Sequence, residues 1–307
     1  MATPALTIGT RGSRLALVQA ETVRAALAAA HPGLGPIAVQ VIRTTGDAVQ
    51  DRTLSEIGGK GLFTREIDEA LLDGRIDLAV HSMKDVPTRL APGIALAAVL
   101  EREDPRDALL CDGPPSLAAL APGTVVGSAS LRRAAQVLMR RPDVTVVPLR
   151  GNVDTRIAKL EAGQVGATLL AVAGLKRLGL HDLAARALAA EDMLPAVAQG
   201  ALGVAVREND AQTRTRVAVL DHVPSACAVA AERAFLAALD GSCRTPIAGL
   251  ARLAAGRLAF EGLVVAPDGR AHRRVVREGA PADAERLGAD AGAEVRRTAG
   301  PGFFAAE

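Results

Sequence analysis

The stretch VVGSASLRR, residues 125–133, joins a short β-branched run to a turn of small residues and then to the start of a helix that continues to Arg140. The same order occurs at residues 6–13, where Ser13 can cap the helix, and at residues 144–152, where Asn152 can cap the next one. Strand–helix alternation of this kind predicts parallel sheets that helices cover on both faces.

The alternation extends over the first two thirds of the chain. Predicted strands and apolar runs cover residues 6–9, 37–42, 76–80, 125–127, 144–149 and 167–172. A further helix is predicted over residues 64–72. The charged, proline-containing stretch 101–107 is predicted to be a linker between two domains, and residues 202–206 a strand that returns to the first domain.

The last third of the chain has a different pattern. Ser225 is expected to cap a helix that ends near Gly241. Strands are predicted at 247–252, 258–264 and 271–276, and a final helix at 282–297. This order predicts a small α+β domain.

The composition excludes several classes of protein. The 307 residues carry 36 Lys and Arg against 34 Asp and Glu, so the net charge is +2, and 49% of the residues are apolar. Such a chain can bury sizeable cores, and its length suggests two or three domains. With five Phe and neither Tyr nor Trp, it lacks the aromatic platforms of single-strand nucleic-acid binders and the basic excess of DNA binders.

No membrane or export segment is expected. The longest strongly apolar stretch, residues 165–175, is well short of the roughly 20 residues that span a bilayer. The first residues, MATPALTIGTRGS, lack a basic region followed by an apolar run. The three cysteines and five histidines are widely spaced, which is typical of neither a disulfide framework nor a metal site. We therefore expect a cytoplasmic protein without a metal.

Cations at strand-to-helix turns are the strongest chemical signal. Helix N-termini offer free N–H groups and a positive dipole end, and Arg binds carboxylates or phosphates in a bidentate manner. Ligands of open α/β sheets bind beyond the carboxyl ends of the strands, so we expect a basic site for an anion. The residues at these turns are Arg11, Ser13, Ser128, Ser130, Arg132, Arg133, Arg150, Asn152, Arg156, Lys176 and Arg177.

Three other features carry chemically active groups, and each can be interpreted as either functional or purely structural. The loop IGGKGLF, residues 57–63, places Lys60 among three glycines that suit a mobile lid or an ordinary tight turn. Asp85 follows an apolar strand in HSMKDVP, where it can stabilise a developing cation or form a turn before proline. Cys243 lies beside Arg244 in a loop, which suits either a nucleophilic thiolate or an inert thiol.

Taken together, these residues resemble the porphobilinogen deaminase family. HSMKDVP, GGKGLF, SLRR and LRGN are each specific, and the motifs run along nearly the whole chain. In chain order they are TRGSRLAL, GDAVQDRTLSEIGGKGLFTREID, AVHSMKDVPT, EREDPRDAL, GSASLRR, LRGNVDTR, LAVAGLKRLG, AVAQGALG and GSCRTPIAG.

The resemblance implies an α/β chain of three domains. Two periplasmic-binding-protein-like domains with mixed, mainly parallel sheets would cover residues 1–100 with 200–220, and residues 105–195. A small α+β C-terminal domain, residues 223–307, would carry the cofactor cysteine. The family resemblance also implies a monomer.

The activity implied by the resemblance is that of a transferase in tetrapyrrole and haem biosynthesis. It would join four porphobilinogen molecules head to tail, with loss of ammonia, on a covalent dipyrromethane cofactor, and release hydroxymethylbilane by hydrolysis. A thioether to Cys243 would hold the cofactor. Asp85 matches the family's catalytic aspartate, whose proposed role is to bind pyrrole N–H groups and stabilise the cation left when ammonia departs. Porphobilinogen would be the partner, with no nucleic acid and no membrane.

The resemblance also implies which cationic and hydroxyl side chains bind the cofactor and which bind the substrate. Each pyrrole carries an acetate and a propionate, so the growing product is a polyanion. Besides Cys243, the implied cofactor-binding residues are Lys84, Ser82, Ser128, Ser130, Arg132, Arg133 and Gln199. The implied substrate-binding residues are Arg11, Ser13, Lys60, Phe63, Arg150, Asn152, Arg156 and Arg177.

The sequence departs from the family pattern at four positions. Ser242 and Arg244 stand where Gly and Gln are common, Ala198 where Gly is common, and Glu56 where Lys is frequent. None of these departures removes a chemical group that the reaction needs.

Two alternatives remain open from the sequence. A non-catalytic anion-binding protein of the periplasmic-binding-protein fold would explain the basic turns but not Cys243. A pyridoxal-phosphate enzyme with Lys84 as the Schiff base is the other.

Overall fold

The computed structural model describes residues 5–48, 61, 63–241, 246–299 and 303. The chain forms two compact units. Unit 1 contains the described residues of 1–50, 59–103 and 201–226, and unit 2 those of 104–200 and 227–307.

Strands and helices alternate along much of the chain. The strands are β1 (Leu6–Thr10), β2 (Ile37–Val41), β3 (Leu78–Ser82), β4 (Ile94–Val99), β5 (Asp107–Cys111), β6 (Val125–Gly127), β7 (Thr145–Val147), β8 (Ala167–Ala171), β9 (Leu202–Arg207), β10 (Ile247–Ala254), β11 (Arg257–Val265) and β12 (His272–Gly279). The α-helices are α1 (Arg14–Ala30), α2 (Thr45–Ala48), α3 (Arg65–Leu72), α4 (Leu131–Arg140), α5 (Val153–Glu161), α6 (Val172–Arg177), α7 (His181–Ala184), α8 (Ala211–Ala218), α9 (Val223–Ala238) and α10 (Ala284–Ala299).

Unit 1 is built on a five-stranded sheet with the strand order β2-β1-β3-β9-β4. β1 pairs in parallel with β2 and β3, and β9 is antiparallel to both β3 and β4. Four of these five described strands therefore run in one direction. The predicted return of residues 202–206 to the first sheet is confirmed, because β9 lies between β3 and β4.

Helix α1 forms for the local reasons that the sequence indicates. The Ser13 hydroxyl accepts a hydrogen bond from the Ala16 N–H at 3.3 Å, which caps the helix. The inner face of α1 buries Val23 and Leu27 against Ile8 and Leu78 of the sheet. Burying side chains of this size stabilises the fold by about 1.5–3 kcal/mol each.

Unit 2 contains a four-stranded and a three-stranded sheet. The first has the order β5-β8-β6-β7, with β6 parallel to β7 and β8 and with β5 antiparallel to β8. The second, β10-β11-β12, is antiparallel. Its core packs Phe235 of α9 against Phe260 of β11, with ring centroids 5.1 Å apart, and Leu287 and Val295 of α10 join the same cluster.

The α/β prediction with mixed, mainly parallel sheets is confirmed by these described strands. The three-domain division, with bounds at residues 1–100 with 200–220, 105–195 and 223–307, stays a prediction.

Three details of the predicted elements are wrong. Ser225 does not cap α9, which begins at Val223; its hydroxyl instead accepts from the Arg102 N–H at 2.9 Å and contacts His222 Nδ1 at 2.8 Å. The predicted linker at 101–107 extends one residue too far, because Asp107 is the first residue of β5 and is fully buried. The strand predicted at 76–80 begins only at Leu78.

Close packing of α9 on α10 gives a stability test. A Cβ added at Gly288 would lie 1.9 Å from the carbonyl oxygen of Ala231, so Gly288→Ala should lower the free energy of unfolding by about 3 kcal/mol. Ala289→Ser, at the exposed next position, should change it by less than about 0.5 kcal/mol. Urea unfolding followed by circular dichroism measures both, and equal stabilities would show that the helices are not in tight contact.

Candidate active site and anion-binding edges

The carboxyl edge of the unit 1 sheet brings together Arg11, Phe63 and Asp85. Because β1 and β3 are parallel neighbours, the turns that follow them lie at one edge. Arg11 Nη1 lies 3.9 Å from Asp85 Oδ2. The Arg11 guanidinium stacks over the Phe63 ring at 4.1 Å from its centroid, a cation–π contact.

Asp85 is held by a short 3₁₀ turn, Met83–Asp85, directly after β3. Met83 anchors the turn: its side chain is buried and its N–H donates to the Ala201 carbonyl at 3.0 Å. The side chains of Arg11 and Asp85 remain 24% and 29% exposed. A positioned carboxylate that solvent and ligand can reach is what binding of N–H groups or a developing cation requires.

Ser13 and Ser82 lie at the same edge, and both hydroxyls are already used as acceptors. Ser13 caps α1, and Ser82 Oγ accepts from Gln19 Nε2 at 2.9 Å. Each hydroxyl keeps its own hydrogen as a donor for a carboxylate. Gln19, which is buried, was not found from the sequence; a lone amide on the inner face of an apolar helix was its only signal.

His81 lies inside β3 beneath this edge. Burial, assisted by the positive charge of Arg11, lowers the pKa of His81 from 6.5 to about 4. The imidazole is therefore neutral at physiological pH and adds no charge next to Arg11 and Asp85.

A second carboxyl edge lies in unit 2, where β6 runs parallel to β7 and β8. Ser130 Oγ accepts from the Arg133 N–H at 3.4 Å at the start of α4, and Asn152 Oδ1 accepts from the Thr155 N–H at 2.8 Å at the start of α5. Ser128 Oγ is bonded to the backbone of Ser130. These predicted ligand-binding residues thus build the turns at which a ligand would lie.

Three arginines extend the cationic character of this edge. Arg156 Nε donates to the Gly151 carbonyl at 2.8 Å, and Arg177 Nη2 to the Gly200 carbonyl at 2.7 Å. Arg150 Nη1 is buried, and none of the described residues supplies it with a hydrogen-bond acceptor. An unpaired buried guanidinium N–H is costly, and a donor of this kind can bind an anion.

Arg132, Arg133 and Gln199 come together in the interior of unit 2, around a residue that the sequence analysis missed. All three donate to the carboxylate of Asp107. Charge and proline in the stretch 101–107 suggested a linker, whereas the useful signal was an acid that opens an apolar run, DALLC.

Glu232, also missed from the sequence, holds the segment that carries Gln199. It is fully buried, and its carboxylate accepts from the Ala198 N–H at 2.5 Å and the Ala251 N–H at 2.8 Å. Ala198 adopts a left-handed conformation with φ 59°. This conformation favours glycine, because a Cβ costs about 1–2 kcal/mol there.

Two predicted site residues, Lys60 and Cys243, lie outside the described residues, as does most of the glycine loop at 57–63 and the departures at Glu56, Ser242 and Arg244. Lys84 is described, in the same 3₁₀ turn as Asp85. No helix within the part of the chain that the structure describes is long and apolar enough to cross a bilayer.

The fold and the two carboxyl edges define the class: an α/β protein with guanidinium, ammonium and hydroxyl groups at the carboxyl edges of its parallel strands. Residues 6–215 match the family model for the dipyrromethane cofactor binding domain of porphobilinogen deaminase, and residues 226–297 match the model for its C-terminal domain. The chain belongs to the porphobilinogen deaminase family.

Curated relatives agree with the family models. The chain is 54% identical over 300 residues to the porphobilinogen deaminase of Nitrobacter hamburgensis, which covers 97% of this chain and 95% of the relative. It is 53% identical over 304 residues to the chloroplastic porphobilinogen deaminase of Oryza sativa subsp. japonica, and this match covers 97% of this chain and 85% of the relative.

Solved structures give a more distant likeness. An arginine-specific periplasmic binding protein of Salmonella typhimurium is 13% identical, with 71% of this chain and 92% of that chain covered and a TM-score of 0.40. A methionine-binding protein is 10% identical, with 70% of this chain and 89% of that chain covered and a TM-score of 0.42. At these TM-scores the likeness carries no argument about the ligand.

The lowered pKa of His81 gives a pH test. Between pH 6.5 and about 4 the unfolded chain binds a proton at His81 that the folded chain does not, so stability should fall as the pH falls through this window. His81→Gln should lose this part of the pH dependence, at most about 1.4 kcal/mol per pH unit.

Nuclear magnetic resonance checks the assignment directly. The imidazole signal that His81→Gln removes should remain in its neutral position at pH 5. A midpoint near 6.5 for that signal would show that His81 is accessible to water and would remove the expected difference in stability.

Proposed function

We propose that this chain joins four porphobilinogen molecules head to tail, with loss of ammonia, on a dipyrromethane cofactor and releases hydroxymethylbilane by hydrolysis. The family match supports the reaction. The structural observation that carries the proposal is the pair of buried guanidinium atoms without an acceptor among the described residues, Arg132 Nε and Arg150 Nη1. Arg150 precedes the start of α5 and Arg132 belongs to the first turn of α4, and both helices follow parallel strands of unit 2.

The residues present fit a dipyrromethane. Its acetate and propionate groups need several cationic and hydroxyl donors, and unit 2 supplies Arg132, Arg133, Ser128 and Ser130 at the start of α4. For Lys84 and Ser82, which lie at the carboxyl edge of the unit 1 sheet, a role in cofactor binding stays a prediction from the family resemblance. When bound, the cofactor supplies a free pyrrole carbon as the nucleophile for the first condensation.

Asp85 is the residue to which we assign the catalytic role. Its carboxylate accepts N–H hydrogen bonds from a pyrrole and stabilises the positive charge that develops on porphobilinogen as the C–N bond breaks and ammonia leaves. Arg11, 3.9 Å away, restrains the carboxylate, and we assign its guanidinium to a substrate carboxylate. Phe63 in turn restrains Arg11 by stacking.

Substrate binding is assigned to the two cationic edges. Arg11, Ser13 and Phe63 belong to unit 1, and Arg150, Asn152, Arg156 and Arg177 to unit 2. The family match favours this transferase over the anion-binding alternative and leaves the pyridoxal-phosphate alternative without support.

The location and assembly are part of the same proposal. We assign the enzyme to the cytoplasm, with no nucleic-acid or membrane partner, as the composition indicates, and we expect a monomer, as the family resemblance implies. Light scattering on a sizing column should give the mass of one chain; a stable dimer would contradict the monomer.

The assignment of Asp85 predicts a selective loss of turnover. Asp85→Asn keeps the shape of the side chain but removes its charge, so the rate of porphobilinogen consumption should fall on the order of 10²–10³-fold. Because Asp85 is partly exposed, the melting temperature should stay within a few degrees of the wild-type value. Asp73→Asn, at a side chain that is 65% exposed, is the matched control and should keep the wild-type rate. Near-normal turnover of Asp85→Asn would leave Asp85 a structural role only.

The attachment of the cofactor is tested by intact mass under denaturing conditions. The wild-type chain should exceed its sequence mass by two condensed pyrroles and gain further single-pyrrole steps when porphobilinogen is added. Cys243→Ser should show the bare sequence mass, whereas Cys111→Ser and Cys227→Ser should load normally. Covalent pyrroles on Cys243→Ser would overturn the attachment site. A wild-type chain that never gains mass would overturn the proposed function.

A further inference from the structure

Asp107 is the centre of a fully buried polar network in unit 2. Its Oδ1 atom accepts from Arg133 Nη2 at 2.7 Å and from Gln199 Nε2 at 2.8 Å, and its Oδ2 atom accepts from Arg132 Nη2 at 2.7 Å. The side chain of Asp107 is 0% exposed, and those of Arg132 and Arg133 are 6% and 7% exposed. Both oxygens of one carboxylate are therefore shared by three side chains from two distant segments.

Backbone carbonyls fix the other ends of the two guanidinium groups. Arg133 Nη1 donates to the Leu169 carbonyl of β8 at 2.8 Å, and Arg132 Nη1 donates to the Leu194 carbonyl at 2.7 Å. Each planar guanidinium is thus held at two sides, by Asp107 and by a carbonyl. Such a group cannot rotate without breaking charge-assisted hydrogen bonds.

The network is not neutral. Two guanidinium groups face one carboxylate, which leaves a surplus of one positive charge among these buried side chains. Burial alone would raise the pKa of Asp107, but the charges of Arg132 and Arg133 outweigh it and hold this pKa below its usual range. Burial also lowers the pKa of Arg132. A buried surplus charge is costly unless an anion neutralises it.

One donor of the network remains for such an anion. Arg132 Nε is buried, and within the described part of the chain no acceptor bonds to it. Because Asp107 and Leu194 hold the Nη2 and Nη1 atoms of the same group, the direction of this Nε–H is fixed as well.

We propose that Asp107 is a positioning residue for the dipyrromethane cofactor: it holds Arg132 and Arg133 so that Arg132 Nε donates to a cofactor carboxylate. This inference rests on the proposed function. Asp107 itself is fully enclosed by its three donors and does not contact the ligand. Its effect on the cofactor passes through the direction of the Arg132 guanidinium.

Two substitutions separate position from charge. Asp107→Glu keeps the charge and moves the carboxylate by one methylene, whereas Asp107→Asn removes the charge and places an amide N–H against a guanidinium. The double variant Asp107→Asn/Arg133→Gln restores the net charge of the network and removes the unpaired second cation, so it provides a folded reference if Asp107→Asn does not fold.

The readout is the rate at which the cofactor-free protein gains the mass of two pyrroles from porphobilinogen. For every Asp107 variant that folds, loading should slow on the order of 100-fold, the effect expected from a displaced binding group. Wild-type loading in any folded Asp107 variant would reduce Asp107 to a purely structural role. Loading of the wild-type chain in parallel separates this result from a failure of the proposed function itself.

A second measurement uses the wild-type chain and does not require any Asp107 variant to fold. In ¹⁵Nε–¹H spectra, assigned with Arg132→Lys and Arg133→Lys, loading should shift the Nε–H signal of Arg132. The Nε–H signal of Arg133, which lies 3.2 Å from Asp107 Oδ1, should stay in place. An Arg132 signal that does not respond to loading would overturn the inference.

Discussion

Parallel strand pairing is the constraint on which the site depends. Pairing of β1 with β3 puts the turn that holds Arg11 next to the turn that holds Asp85, although 74 positions separate them in the sequence. Pairing of β6 with β7 and β8 gathers the starts of α4, α5 and α6 at one edge of unit 2. At such an edge, helix N–H groups and dipoles favour anions before any side chain is added. The arginines strengthen a preference that the strand directions have already set.

The capping residues of these helices use an acceptor atom for folding and keep a donor hydrogen for ligand binding. Ser13 and Ser130 use a lone pair of the hydroxyl to accept a backbone N–H, and Asn152 uses its amide oxygen. The hydroxyl hydrogens and the amide NH₂ are the parts of these groups that can donate to a carboxylate. The capping contact fixes the oxygen or amide in place, so little side-chain freedom is lost when a ligand binds.

Local patterns predicted the local features. Ser13 and Asn152 cap the helices for which they were proposed, and β6 has the predicted bounds. The missed features depend on partners far along the chain: Asp107 lies 92 residues from Gln199, and Ser225 bonds to a residue 123 positions away. The periodicity and spacing of residues in the sequence do not predict such long-range contacts. The motifs identified the family, whereas the network around Asp107 could be found only from coordinates.

The position of β9 has a consequence for synthesis on the ribosome. All four strands of the sheet β5-β8-β6-β7 come from one continuous segment. This sheet can therefore be completed once residue 171 has left the ribosome. In unit 1, by contrast, β9 (Leu202–Arg207) is inserted between β3 and β4, so β4 has no neighbour in its sheet until residue 207 is made. Nascent chains generally fold from the N-terminus; in this chain the N-terminal sheet is the later of the two α/β sheets to close.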